Sequence, residues 1–137
     1  SELECVYNYM KHNLLKSSYV HADEMPIKVI DSKGKESKSK HYMWVYVSDT
    51  EDSSIILYDY QKTRSSSCPT KFLEGFSGYL QTDDYSGYNK VENVKRLYCL
   101  AHIRRKFFDI VTELHGDALK HSRAIIGFNY CEKLYIL

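Results

Sequence analysis

The sequence of 137 residues lacks any long apolar run; its longest aliphatic stretch is Ile55-Ile56-Leu57. A membrane-spanning helix needs roughly 18 or more apolar residues, and no segment has that length. The N-terminus shows no charged start leading into an apolar stretch, so no secretory signal is read there. Net charge is also nearly missing: 19 Lys plus Arg against 18 Asp plus Glu leave +1. That balance excludes a wholesale basic DNA-coating protein and an acidic tail protein. Cysteine is confined to positions 5, 68, 99 and 131, and no Cys-x-x-Cys pair occurs. Neither a zinc ribbon nor a thioredoxin-type redox site is therefore encoded, and reduced thiols in a cytosolic protein are expected. Cys99-x-x-His102 has metal-like spacing but makes only half of a zinc site. No Gly-x-x-x-x-Gly-Lys-Ser/Thr or Gly-x-Gly-x-x-Gly occurs, which argues against nucleotide-cofactor chemistry. The Ser65-Ser66-Ser67 run carries no Gly-x-Ser-x-Gly elbow, so Ser/His/Asp hydrolysis fits poorly.

With 43% hydrophobic and 27% charged residues, the composition is that of a globular domain, and the length allows one such domain. Leu3, Val6, Met10 and Leu14 recur at helical steps over 3–15, and Ser1 with Glu4 would form a capping box. Tyr19 to Asp23 reads as a strand that ends before Pro26. Residues 31–41 are a polar, Lys-rich loop. Tyr42–Val47 alternates with period two, Ser48–Ser53 is a polar turn, and Ile55–Tyr60 is a second strand, so 42–60 predicts a hairpin. A helix is expected over Pro69–Phe76, then strands at Tyr79–Asp83 and Val94–Cys99. Ile103, Phe107, Ile110, Val111 and Leu114 mark an amphipathic helix. One last helix runs from about Ala118, with Ile126, Tyr130, Leu134 and Leu137 on its apolar stripe. The order predicts a mixed α/β fold.

Two aspartates stand at the C-terminal ends of predicted strands, Asp23 and Asp83. Ligands of open α/β sheets bind beyond such strand ends. Carboxylates suit Mg²⁺ or Mn²⁺, and a divalent cation between two of them relieves their repulsion. The same residues would equally serve as strand-end turn or cap residues. The near-neutral total conceals unlike segments. Residues 94–108 hold Lys95, Arg96, Arg104, Arg105 and Lys106 with no acid, whereas residues 49–84 hold seven acidic and three basic side chains. A basic helix edge of this kind is either a solvated face or a phosphate contact.

Local strings say more. His21-Ala22-Asp23-Glu24, Tyr42-Met43-Trp44-Val45-Tyr46, Leu57-Tyr58-Asp59-Tyr60, Phe76-Ser77-Gly78-Tyr79-Leu80-Gln81-Thr82-Asp83 and Ala101-His102-x-Arg104-Arg105-Lys106-Phe107 occur in order. Together they closely resemble the transposase of insertion sequences of the IS sixty-six family, from about Ser18 to Leu137. The resemblance implies an α/β, ribonuclease H-like mixed sheet of antiparallel hairpin strands plus parallel strands, flanked by helices. Residues 1–137 would be an incomplete part of that catalytic domain. The N-terminal DNA-recognition region and a C-terminal part with the third carboxylate are expected to lie outside it. Asp23 and Asp83 match the first two catalytic, metal-binding aspartates of an Asp, Asp, Glu triad. Two Mg²⁺ or Mn²⁺ ions would support DNA strand cleavage and strand transfer, with the piece alone inert. Cys99-x-x-His102 resembles a signature for local organisation or DNA contact, and His102, Arg104, Arg105 and Lys106 become expected DNA-binding residues.

The implied partners are the element's terminal inverted repeats, target DNA and further copies of the transposase. The implied setting is the bacterial cytoplasm, in association with the nucleoid and away from membranes. Three departures stand out: Met25 where the family usually has Thr, Asp84 where it usually has Gly, and Leu100 where Trp is common. Glu113, Asp117 and Glu132 sit in no matching motif, so no third ligand is assigned. Glu24 and Asp59 lie where they would assist. Two other readings fit the same residues: a non-catalytic remnant that binds DNA or a transposase partner, and a ribonuclease H-like nuclease.

Overall fold

The computed structural model describes residues 2–30, 34–35, 39–49 and 54–136. They form two compact units, residues 1–97 and 98–137. In the first unit, α1 (Glu2–Leu15) precedes β1 (Tyr19–Ile27), β2 (His41–Asp49) and β3 (Ser54–Gln61). There follow α2 (Ser67–Phe72), β4 (Gly78–Thr82), a 3-10 turn at Ser86–Lys90 and β5 (Val94–Tyr98). The five strands make one sheet in the order β3-β2-β1-β4-β5. β1 runs antiparallel to β2 and parallel to β4, and β2 runs antiparallel to β3. This is the expected α/β mixed sheet of antiparallel hairpin strands plus a parallel pair, flanked by helices.

Alternation along the strands sorts the sheet into two faces. Val20 and Ala22 of β1, Trp44 and Tyr46 of β2, Leu57 of β3 and Leu80 of β4 are all buried. Leu14 of α1 and Phe72, Leu73 and Phe76 of the α2 region join them in one core. Gly78 begins β4 where Tyr79 N–H meets the Ser18 carbonyl, and a Cβ there would collide with that carbonyl.

The hairpin appears as expected, although Ser48 and Asp49 belong to β2, and residues 50–53 of the predicted turn lie outside the described set. So do Ser1 of the predicted capping box, Leu137 of the last stripe, and 31–33 and 36–38 of the polar loop. Four expectations need correction, the last two of them in the second unit. β1 continues through Pro26, which pairs with Tyr42. Parallel pairing to β4 stops at His21–Gln81, so Pro26 lies where β1 has one neighbour and a missing N–H is tolerated. In α1, Leu3 and Val6 are exposed; Tyr7, Met10, Leu14 and Leu15 face the core instead. The final helix is two, α4 (Gly116–Lys120) and α5 (Arg123–Leu134), because Ser122 Oγ caps the Ala124 N–H and starts a new helix.

The second unit contains α3 (Leu100–Glu113), α4 and α5. The Phe108 and Phe128 rings lie 5.8 Å apart, and Gly127 leaves room for the Phe107 ring. The predicted stripe of Ile126, Tyr130 and Leu134 is exposed, while Ala124 and Cys131 are the buried α5 residues.

Tyr46 stacks face to face on Phe72, with ring centroids 3.6 Å apart, and its buried hydroxyl finds no hydrogen-bond partner among the described residues. Leaving a buried hydroxyl unsatisfied is costly, so Tyr46→Phe is expected to hold or raise stability, by about 1 kcal/mol. Burial, and then the Asp59 charge, push the Tyr46 phenol above its ordinary value. Its contribution is full below about pH 10 and falls as pH rises and the unfolded chain's tyrosines ionise. Urea melts at neutral and alkaline pH should show the Phe variant losing less stability above that point.

Candidate active site

β1 and β4 run side by side in the same direction, with Tyr19 opposite Tyr79, Val20 opposite Leu80 and His21 opposite Gln81. Asp23 is two residues beyond His21, and Asp83 two beyond Gln81. The register thus carries both aspartates to the same end of two adjacent strands. Asp23 alternates to the sheet face opposite the core, and a cavity of about 210 Å³ beside it is lined by His21, Asp23, Glu24, Met25, Val45 and Val47. Local hydrogen bonds aim both carboxylates. The Glu24 N–H donates to Asp23 Oδ1 (2.9 Å), and the Tyr85 N–H donates to Asp83 Oδ1 (2.9 Å).

Glu24, one residue on, alternates to the core face, and its side chain is 1% exposed. Its Oε1 accepts from Arg64 Nε (2.7 Å) and its Oε2 from the Tyr88 hydroxyl (2.6 Å). Burial pushes the Glu24 carboxyl above its ordinary value, against the lowering effect of those two hydrogen bonds. Tyr88 is raised as well, first by burial and then by the Glu24 carboxylate. Arg64 lies over the Tyr85 ring, 4.1 Å from its centroid, and its carbonyl accepts from the Tyr85 hydroxyl. Arg96 holds the segment after β4: Nε donates to Thr82 Oγ1 (2.9 Å), Nη2 to the Asp83 and Tyr85 carbonyls (2.7 and 2.9 Å), and Nη1 to Asn89 Oδ1. The basic stretch is thus of mixed use, with Arg96 a loop staple and Lys95 over the Tyr79 ring.

A family model described as Transposase IS66 family matches residues 1–137, the whole chain. The chain belongs to that family. Two curated proteins of Sinorhizobium fredii (strain NBRC 101917 / NGR234), both uncharacterized, are similar to this IS66-family chain. Protein y4qI is 28% identical over 124 residues, covering 80% of the chain and 23% of that protein. Protein y4hP is 26% identical over 131 residues, covering 86% of the chain and 22% of that protein. The chain therefore spans less than a quarter of the length of these curated relatives. Among solved structures, it is similar to a chain of the simian T-cell lymphotropic virus intasome in complex with PP2A regulatory subunit B56 gamma. That likeness has 13% identity and a TM-score of 0.41, covering 83% of this chain and 48% of that one.

The other expected site residues lie on α3 in the second unit. Arg104 is engaged with Glu132 and packs over the Phe128 ring, 4.9 Å from its centroid. Arg105 and Lys106 are exposed, and the His102 N–H bonds the Cys99 carbonyl (3.1 Å), so the Cys-x-x-His string forms the start of α3. Ala101, Arg104, Arg105, Phe108, Asp109, Glu132 and Tyr135 line a second cavity, of about 700 Å³. Of the acids left without a motif, Asp117 sits 3.6 Å from Lys120 and Glu132 pairs with Arg104. Met25 is 56% exposed on the Asp23 face. Asp84 does not adopt the left-handed backbone that a glycine would favour; Asn93 is the one non-glycine residue that does among those described.

Two carboxylates with oxygen donors on adjacent strand ends fit a hard divalent cation in donor chemistry. The ligand number is short: no group of three or more His, Cys, Asp or Glu able to hold a metal occurs among the described residues. Sequence reasoning missed Arg64 and Tyr88 as organisers of the site. Neither stands in a periodic or motif-like context, and only the folded chain brings them to Glu24. No helix among the described residues is long and apolar enough to cross a membrane.

Proposed function

We propose that the chain is part of the catalytic core of a DNA transposase that cleaves DNA strands and joins them to a target. The observation that supports this best is the shared register that carries Asp23 and Asp83 to one end of two parallel strands, in a chain of the IS66 family. Asp23 and Asp83 would hold Mg²⁺ or Mn²⁺. Such ions, when bound, supply an activated oxygen nucleophile and stabilise the leaving oxygen of an in-line displacement at phosphorus. The chain's own contribution is orientation. The Glu24 N–H turns the Asp23 carboxylate, the Tyr85 N–H turns that of Asp83, and Arg96 fixes the segment that follows β4 and carries Asp83. Two bare carboxylates would repel a phosphodiester, so DNA approaches this site productively only with the cations in place.

Arg105 and Lys106, and His102 and Arg104 beside them, form the proposed phosphate-contacting edge. Each phosphate neutralised there adds about 0.9 to the salt slope of DNA binding. The partners are element-end and target DNA and further transposase copies, within a longer polypeptide that brings the third carboxylate. With two carboxylates alone, residues 1–137 are expected to leave supercoiled plasmid DNA intact in Mg²⁺ or Mn²⁺. Nicking abolished by Asp23→Ala would overturn that expectation. In a longer polypeptide carrying the third carboxylate, cleavage and joining should fall about a thousandfold or more with Asp23→Asn or Asp83→Asn. Full activity in either variant would overturn the proposed function, and cleavage of RNA–DNA hybrids without joining would replace it with a nuclease.

A further inference from the structure

One guanidinium stands between two anions of unequal burial. Arg64 Nη2 is 2.5 Å from Glu24 Oε1 but 3.8 Å from Asp83 Oδ2. The Glu24 side chain is 1% exposed and that of Asp83 22%. A buried anion in a low-dielectric setting attracts a neighbouring cation more strongly than one open to water. Both Nε and Nη2 of Arg64 meet the single oxygen Oε1 of that buried carboxylate, and two charge-assisted contacts to one atom hold the guanidinium in place. Tyr88 fixes the other Glu24 oxygen, and the Tyr85 ring supports the guanidinium from its face. The contact with Asp83 is left too long for a hydrogen bond. With the charge of Glu24 removed, Asp83 becomes the nearest anion to Arg64. A shift of about an ångström would close that gap to a charge-assisted hydrogen bond.

We propose that Glu24 is a positioning residue that holds Arg64 off Asp83 and so keeps Asp83 Oδ2 open to a divalent cation. This rests on the reading of Asp83 as a metal-binding carboxylate. Glu24 touches neither metal nor DNA in this account; it acts through Arg64.

The test is Mn²⁺ affinity, read from the electron paramagnetic resonance signal of free Mn²⁺, for the 137-residue chain and its variants. Glu24→Gln, nearly isosteric and able to keep the Tyr88 hydrogen bond, is expected to weaken Mn²⁺ binding roughly tenfold. The loss should persist at about 0.5 M salt, where a through-space charge effect would be screened away. The double variant Glu24→Gln/Arg64→Gln is expected to return to within about threefold of the parent, because the competing cation is gone. Parent-like binding by Glu24→Gln, a loss that vanishes in high salt, or a double variant as weak as the single one would each overturn the proposal. Near-ultraviolet circular dichroism checks the folding of each variant. If Glu24→Gln alone loses its tertiary signal, the double variant decides: parent-like affinity upholds the proposal and weakened affinity overturns it. Mn²⁺ uptake unchanged by Asp83→Asn would instead remove the metal-site reading beneath it, an outcome distinct from all of these.

Discussion

Arg64→Ala is expected to lower the stability of the 1–97 unit by roughly 2–3 kcal/mol. The loss arises at Glu24, whose side chain is 1% exposed and would keep, among the described residues, the Tyr88 hydroxyl as its hydrogen-bond partner. Removing one member of a buried pair strands the other charge, which is worse than never having had the pair. The value sits below that of a fully buried pair because Arg64 is 42% exposed and its loss admits water to the carboxylate. The double variant Glu24→Gln/Arg64→Gln should cost less than Arg64→Ala, because no charge is left without its partner. For a unit of this size the single variant should melt roughly 10–20 °C below the parent. A melting point within a few degrees of the parent would show that the ion pair contributes little.

A second large effect is expected at Arg96. Its guanidinium reaches Thr82 at the end of β4 and, in the segment that follows, Asn89 and the carbonyls of Asp83 and Tyr85. Hydrogen bonds from a charged donor are each worth about 1.5–3 kcal/mol, but removing several at one residue is not additive. Arg96→Ala should therefore cost about 3 kcal/mol. Arg96→Lys should rescue little, because a single ammonium cannot span acceptors set out for a planar fork. The sharper readout is local. The Tyr85 N–H, bonded to Asp83 Oδ1, should exchange with solvent faster in the variant than in the parent. Unchanged exchange there would mean that the loop holds its shape without Arg96.

Much of the fold was legible from short-range pattern. The alternation in Tyr42–Val47 and the helical spacing after Cys99 fixed elements whose neighbours lie close in sequence. The misreadings have physical causes. Pro26 looked like a strand end because proline lacks an N–H, yet β1 there has one neighbour to satisfy. In α1 the spacing of Leu3, Val6, Met10 and Leu14 fits a helix but does not say which part of it meets the sheet, and Tyr7 took the inward place. Ser122 looked like an ordinary residue in a long helix, and only its cap to Ala124 shows the break.

At the site, Asp23 and Asp83 stand in recognisable strings at strand ends. The network around Glu24 was not readable in the same way. Its partners are 40 and 64 residues distant in sequence, in a polar loop and a 3-10 turn that carry no periodic signal. Arg96 shows the converse limit. Grouped by sequence with the α3 cations, it is committed by the fold to backbone carbonyls beside Asp83.

Asp23 and Asp83 are proposed to bind a divalent cation jointly. Paramagnetic broadening of backbone amide resonances by substoichiometric Mn²⁺ tests it directly on the 137-residue chain, because even weak binding is seen residue by residue. The predicted result is selective broadening at and around Asp23 and Asp83, lost at both positions in either Asp23→Asn or Asp83→Asn. Broadening centred elsewhere, or broadening that survives at one aspartate after the other is replaced, would rule out joint binding by the two carboxylates.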